Sequence, residues 1–81
     1  MINLNENELE KINVSGHQSI KILEARKNKL TNCEGFFNNC SNLMELYLAE
    51  NSIDNLSFLE KLPSLKKLHL RANKIEKLGN L

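Results

Sequence analysis

The hydrophobic positions along the chain recur with a period of about 22 residues. Residues 43–53 read LMELYLAENSI and residues 65–75 read LKKLHLRANKI, and both fit the pattern LxxLxLxxNx(L/I). A third copy, IKILEARKNKL at residues 20–30, fits the pattern with Ala25 in a leucine position. A shortened fourth copy opens the chain, with apolar residues at Ile2, Leu4 and Leu9. A fixed period of this length predicts a stack of similar coils.

Within each copy, apolar residues alternate with outward-facing residues before the asparagine and recur every third position after it. Leu46 and Leu48 alternate with Tyr47, so they point to one face while Tyr47 points to the other, as on a short strand. Stacked copies of this strand predict a parallel sheet. After the asparagine, an apolar residue recurs every three positions, at Ile53, Leu56, Leu59 and Leu62. This spacing suits short 3₁₀ turns, in which every third side chain is eclipsed.

An amphipathic helix is the alternative interpretation, because leucines three and four apart also mark one helical face. The strand motif places leucine at i, i+3 and i+5 and asparagine at i+8, which no single helical face accommodates. The phase also restarts about every 22 residues, with Gly35 and Pro63 between copies. The pattern therefore favours strands over a helix.

The unit LEKLPSLKKLHLRANKIEKL resembles the intracellular 22-residue class of leucine-rich repeats, typified by a regulatory subunit of protein phosphatase 1. The resemblance implies an α/β solenoid, with a parallel sheet on the concave face and short 3₁₀ or α turns on the convex face. It also implies a ladder of asparagine side chains that bond the backbone of neighbouring coils. The ladder positions are Asn7, Asn28, Asn51 and Asn73, at intervals of 21, 23 and 22 residues.

These positions divide the chain into four units. Residues 1–19 form a partial repeat, residues 20–42 and 43–64 form whole repeats, and residues 65–81 form a truncated one, about three and a half repeats in all. Terminal coils of a solenoid expose the core unless a polar or amphipathic cap covers them, and neither end carries such a cap. We therefore expect a fragment of a longer protein, or one subunit whose ends are covered in a large assembly.

Composition narrows the partners and the compartment. Hydrophobic residues make up 41% of the chain but aromatic residues only 5%, so the core is expected to consist mostly of Leu and Ile. The formal net charge is +1, so nucleic acid and anionic membrane are not expected partners. The sequence contains no long apolar run, which predicts neither a signal peptide nor a membrane span.

The two cysteines, Cys33 and Cys40, fall on core positions of the second repeat. Buried cysteine behaves as a small hydrophobe, and a disulfide or metal pair has no supporting histidine or third cysteine nearby. We therefore expect two core thiols in a reducing, cytoplasmic compartment. No nucleophile, base and orienting group occur together in the sequence, so an enzyme, a cofactor, a bound metal and a small-molecule substrate are not expected.

The outward positions of the strands form the candidate binding surface, called here the outward strand face. Its nine residues are Ile22, Glu24, Arg26, Glu45, Tyr47, Ala49, Lys67, His69 and Arg71. Three rows are predicted across the sheet: Ile22, Glu45 and Lys67; Glu24, Tyr47 and His69; Arg26, Ala49 and Arg71. Tyr47 beside His69 is a candidate anchor, because Tyr and Arg are enriched in binding hot spots. The alternative is a solvated face on which Glu45 simply pairs with Lys67.

A finer resemblance concerns the order of the repeats. LEARKNKL, NLMELYLAENSI and LKKLHLRANKIEKL are together similar to consecutive repeats of the radial-spoke leucine-rich repeat family of cilia and flagella, which share an LYLA-x-N and an LHLR-x-N strand. The shared strand residues are Tyr47, Leu48, Ala49, Asn51, His69, Leu70, Arg71 and Asn73. The resemblance implies a non-catalytic structural subunit of the ciliary axoneme that binds other radial-spoke proteins.

A regulatory subunit that binds a phosphatase catalytic domain is the alternative function. For that function we expect an acidic and aromatic outward strand face. The outward strand face is instead mixed to basic, because it carries Arg26, Lys67, His69 and Arg71. The sequence therefore favours the structural subunit.

Overall fold

The computed structural model describes residues 1–33 and 35–74. Four short strands follow one another along the chain: β1 (Ile2–Asn3), β2 (Ile22–Glu24), β3 (Glu45–Tyr47) and β4 (Lys67–His69). They form one sheet in chain order, and every neighbouring pair is parallel, as predicted. Each of the four predicted units contributes one strand, while Ile75 and the rest of residues 75–81 lie outside the described residues.

The register of the sheet aligns the leucines of the repeat. Leu23 pairs with Ile2 on one side and with Leu46 on the other, and Leu46 pairs with Leu68. Leu23 and Leu46 have no exposed surface, and Leu48 is equally buried. Because side chains alternate across a strand, placing these residues in the core turns their neighbours outward.

The asparagine ladder is built as the resemblance implies at three of its four positions. The Asn51 amide nitrogen donates to the carbonyls of Ala25, Leu48 and Ala49 at 2.9, 3.0 and 3.3 Å. Its amide oxygen accepts from the Leu30 N–H at 3.1 Å. Asn28 makes the matching bonds to the coil before its own, donating to Leu4 O and accepting from the Leu9 N–H. Asn73 does the same with Leu48 O and the Ile53 N–H. The ladder therefore joins each coil to its predecessor.

Asn7 does not behave as a ladder residue, which corrects the sequence-based expectation. Its side chain is exposed and makes no hydrogen bond with residues 1–33 or 35–74. Its backbone N–H instead donates to the Asn28 amide oxygen at 3.1 Å. The difference has a simple cause, since none of the described residues places a coil in front of Asn7 for its side chain to bond.

A tight turn precedes every ladder position. Glu6, Lys27, Glu50 and Ala72 each lie one residue before an asparagine, and their φ angles are 60°, 58°, 59° and 59°. This left-handed conformation costs an L-residue with a side chain roughly 1–2 kcal/mol relative to glycine. The sequence places no glycine there, so its pattern gave no sign of these turns.

The side of the coils opposite the sheet holds the second half of the core. The third unit forms the one 3₁₀ helix of the described residues, Ser57–Lys61, as the three-residue spacing predicts. Its buried side chain is Phe58, while Leu59 is only half-buried. The Phe58 ring lies 5.5 Å from that of Phe37, which in turn meets Phe36 edge-on at 6.1 Å. Aromatic rings thus complete a core that we expected to consist mostly of Leu and Ile.

Both cysteines are core residues, as predicted. Cys33 and Cys40 are free thiols with 1% and 0% of their surface exposed, so the disulfide alternative is wrong. Burial raises the pKa of the Cys33 thiol to about 12, because the thiolate would lose its hydration. Such a thiol stays protonated and packs as a hydrophobe.

A candidate protein-binding face

The sheet register brings the predicted rows together. Ile22 pairs with Glu45 and Glu45 with Lys67, while Glu24 pairs with Tyr47 and Tyr47 with His69. The third row continues beyond the strands, where the Lys27 N–H donates to Ala49 O and the Glu50 N–H donates to Arg71 O. All nine residues of the outward strand face therefore occupy the rows that the sequence predicts.

Tyr47 is the centre of a packed cluster on this face. The His69 ring meets the Tyr47 ring edge-on, with 4.7 Å between centroids. The guanidinium carbon of Arg26 lies 4.5 Å from the centroid of the same ring, within the range of a cation–π contact. Arg26 is fixed in turn by Glu24, whose Oε1 lies 2.6 Å from Nη1 of Arg26. Three consecutive coils thus hold one aromatic ring in place.

The Tyr47 hydroxyl points along its own strand and donates a hydrogen bond to the Glu45 carboxylate. This bond, followed by desolvation and the charge of Glu45, raises the pKa of the Tyr47 phenol. Deprotonation would remove the donor and place a second negative charge beside the carboxylate. Tyr47 therefore remains a neutral donor at physiological pH.

The alternative interpretation, in which Glu45 pairs with Lys67, is not what the structure shows, because Glu45 accepts from Tyr47 instead. The ion pairs of the described residues are Arg26–Glu24 at 2.6 Å and Lys27–Glu6 at 3.2 Å, and neither includes Lys67. Tyr47 lies two residues from Glu45 on the same strand and needs little ordering to reach it. A lysine would have to give up side-chain entropy for an exposed pair of roughly 0–1 kcal/mol.

Ala49 is the one residue of the outward strand face that is buried, with 6% of its surface exposed, although we expected it to be accessible. Strand β3 ends at Tyr47, and the chain turns left-handed at Glu50, so Ala49 lies in the corner between strand and turn. A methyl group does not reach out of that corner. Arg26 and Arg71 are therefore separated by a residue that offers a partner almost no surface.

One contributor to this face was missed in the sequence. The Asn5 amide donates to Glu24 Oε1 at 3.2 Å, and its oxygen accepts from the Arg26 N–H at 2.7 Å. The first unit thus supports the Glu24–Arg26 pair from the neighbouring coil. The signal was present, because Asn3 and Asn5 occupy the same alternating positions in the first copy as Glu24 and Arg26 in the second.

The charges of the face are distributed unevenly. The acidic groups, Glu24 and Glu45, each accept a hydrogen bond from a side chain of the same face. Lys67, His69 and Arg71 on and after β4 are exposed, and Lys67 and Arg71 form no ion pair with the described residues. The cations of the face without an ion-pair partner in the described part of the chain therefore lie together at its β4 side.

Within residues 1–33 and 35–74, no group of three or more His, Cys, Asp or Glu side chains is arranged to hold a metal ion. No helix in that part of the chain is long and apolar enough to cross a membrane. The outward strand face remains the surface on which exposed polar, charged and aromatic side chains converge.

Comparison with known proteins identifies the repeat. Residues 18–75 match the leucine-rich repeat family. An uncharacterised leucine-rich repeat-containing protein of Schizosaccharomyces pombe is 43% identical over 54 residues, which are 65% of this chain and 9% of that protein. A homologue of a protein phosphatase 1 regulatory inhibitor subunit, from Arabidopsis thaliana, is 32% identical over 79 residues, which are 96% of this chain and 24% of that protein.

The chain thus spans a quarter or less of the length of these relatives. No solved structure matches it significantly. The family and the name of the second relative point to a non-catalytic domain that interacts with other proteins. The repeat motif, the parallel sheet and the family match agree, and the chain belongs to the leucine-rich repeat family.

Proposed function

We propose that this chain is a non-catalytic scaffold segment that binds another protein through the outward strand face. The proposal depends on one observation, the fixed position of Tyr47 between Arg26, His69 and Glu45. A side chain that is already ordered loses little conformational entropy when a partner docks on it. Tyr and Arg are also the residue types that carry much of the energy of known interfaces.

The assembly that we propose is the radial spoke of the ciliary axoneme, where the chain would be a structural subunit in the cytoplasm of the cilium. The similarity of the LYLA-x-N and LHLR-x-N strands to the radial-spoke family supports this assignment. Lys67 and Arg71, which have no ion-pair partner among residues 1–33 and 35–74, also support it, since they differ from the acidic and aromatic face expected of a phosphatase-binding repeat.

Regulation of a protein phosphatase is the second candidate. Its support is the Arabidopsis relative, whose name describes a protein phosphatase 1 regulatory inhibitor subunit and whose similarity extends over 96% of this chain. In this case the same face would contact a phosphatase catalytic domain.

Affinity capture of the full-length protein from ciliated cells, followed by mass spectrometry, separates the two candidates. Recovery of radial-spoke proteins is the expected result. A phosphatase catalytic subunit without axonemal proteins would reverse the order of the candidates, and recovery of neither class would overturn both.

A substitution on the outward strand face tests which surface binds. We expect the double variant Tyr47→Ala, Arg71→Ala to lose most of the captured partner while its circular dichroism spectrum stays unchanged. Lys11→Ala is the matched control, because Lys11 is exposed and lies beside Phe36 on the opposite side of the coils. Unchanged capture by the double variant would contradict binding through this face.

A further inference from the structure

The outward strand face has two zones, which differ in whether their charged side chains are bonded to other described side chains. In the first zone, on β2 and β3, Glu24 is bonded to Arg26 and Asn5, and Glu45 is bonded to Tyr47. In the second zone, on and after β4, the exposed Lys67 and Arg71 have no ionic partner among the described residues. Among the described residues of the face, the cations that remain for a ligand are therefore on one side of Tyr47.

We infer that the outward strand face binds an acidic peptide segment of its partner, with carboxylates on Lys67 and Arg71 and a side chain against Tyr47. This inference rests on the proposed function and names the chemistry of the partner. Lys67 on β4 and Arg71 just after it offer two docking points for carboxylates, and the guanidinium can bind one through two parallel hydrogen bonds. His69 lies between them in sequence and fills the space beside the Tyr47 ring.

The dimensions of the sheet limit the length of this segment. Adjacent parallel strands are about 4.8 Å apart, so β2 and β4 are separated by roughly 10 Å. An extended peptide advances about 3.3 Å per residue, so roughly three residues span the face. Lys67 and Arg71 lie four residues apart along the chain, so at β4 the segment continues along the strand with carboxylates for both. It carries a polar or basic residue at the end that reaches Glu24.

The uneven charge distribution also argues against a uniformly anionic polymer. A nucleic acid strand crossing the face would bring phosphates to Lys67 and Arg71, but also to Glu24 and Glu45. A peptide avoids this repulsion because its charge can change along three residues. The face therefore fits a peptide whose acidic end lies over β4.

Selection from a displayed library of random peptides tests the inference. Peptides selected on the unmodified chain are expected to be enriched in Asp and Glu at one end. The double variant Lys67→Glu, Arg71→Glu should lose this enrichment and bind a fluorescent copy of a selected peptide about tenfold more weakly, because two exposed ion pairs become repulsive. The weakening should shrink at high salt.

The control is Lys11→Glu, Lys61→Glu, which produces the same change in net charge on exposed residues of the opposite side. It should retain both the enrichment and the affinity. Selected peptides without an excess of acidic residues, or an enrichment that survives in Lys67→Glu, Arg71→Glu, would overturn the inference. Tighter binding of a single-stranded oligonucleotide than of the selected peptides would overturn it as well.

Tyr47→Ala distinguishes failure of this inference from failure of the proposed function. If Tyr47→Ala abolishes peptide binding but the charge reversal does not, the outward strand face binds partners by chemistry other than the acidic one. If neither variant weakens binding of the selected peptides, both the acidic partner and the binding face are wrong.

Discussion

Replacing Asn51 by alanine removes one complete rung of the asparagine ladder. The amide nitrogen of Asn51 donates to three carbonyls, but each of these has a second donor. Ala25 O also accepts from Asn28 Nδ2 at 3.2 Å, and Leu48 O from Asn73 Nδ2 at 2.9 Å. Ala49 O also accepts from the Lys27 N–H at 3.0 Å. In Asn51→Ala each of these carbonyls therefore loses one hydrogen bond but keeps another.

The Leu30 N–H is in a different position. Its bond to the Asn51 amide oxygen, at 3.1 Å, is buried. An unsatisfied buried donor costs about 1–3 kcal/mol, and each weakened carbonyl adds roughly 0.5 kcal/mol. Asn51→Ala should therefore lower the free energy of unfolding by about 3 kcal/mol, a large part of the 5–15 kcal/mol typical of folded domains.

Urea unfolding followed by circular dichroism measures this loss. With a slope of about 1 kcal/mol per M, the midpoint should fall by about 3 M. Hydrogen exchange at the Leu30 amide should accelerate more than exchange elsewhere, because that donor has lost its acceptor.

Asn7→Ala is the matched control, since Asn7 has the same place in the repeat but an exposed side chain without a hydrogen bond in the described residues. We expect it to change the free energy of unfolding by less than about 0.5 kcal/mol. An Asn51→Ala midpoint that falls no further than that of Asn7→Ala would refute the ladder as a source of stability.

Three further predictions use the same urea assay. Ala72→Gly should raise the free energy of unfolding by about 0.5 kcal/mol, because the φ of 59° favours glycine. The control Lys29→Gly should lower it, and a lower free energy of unfolding in Ala72→Gly would contradict the left-handed turn. The contribution of Cys33 to stability should be constant below about pH 8.5 and should fall above it, by up to roughly 1.4 kcal/mol per pH unit until the Cys33 pKa of about 12. The folded thiol keeps a proton in this range that the unfolded thiol loses. Cys33→Ala should reduce this slope, and an unchanged slope would exclude the thiol as its cause. Phe37→Ala should cost about 3–5 kcal/mol and the half-buried Leu59→Ala less; the reverse order would contradict the aromatic core.

The register of the sheet could be predicted because burial enforces it. A slip of one residue would move Leu46 from the core to solvent and separate Asn51 from Leu30, so the sequence pattern and the stable pairing coincide. The rows of the outward strand face follow from that register. The pairing of Tyr47 with His69 could therefore be predicted from the sequence pattern.

The remaining features depend on contacts that the repeat pattern does not encode. The left-handed turns carry Lys27, Glu50 and Ala72 rather than glycine, so the turn is imposed by the coil geometry and not by the residue that adopts it. Phe58 lies one position away from the three-residue pattern that suggested Leu59, because ring contacts with the preceding coil decide which side chain is buried. The Glu45 carboxylate accepts a hydrogen bond from Tyr47 on its own strand, and the spacing between strands does not determine this partner.

Every rung of the ladder reaches back to the coil before it, and this direction has a consequence for how such chains change length. If residues 43–64 were deleted, Asn73 would meet the same Ala25 carbonyl and Leu30 N–H that Asn51 meets now. Each unit supplies the asparagine that bonds it to the unit before it, so duplication or deletion of a whole unit leaves these hydrogen bonds with partners.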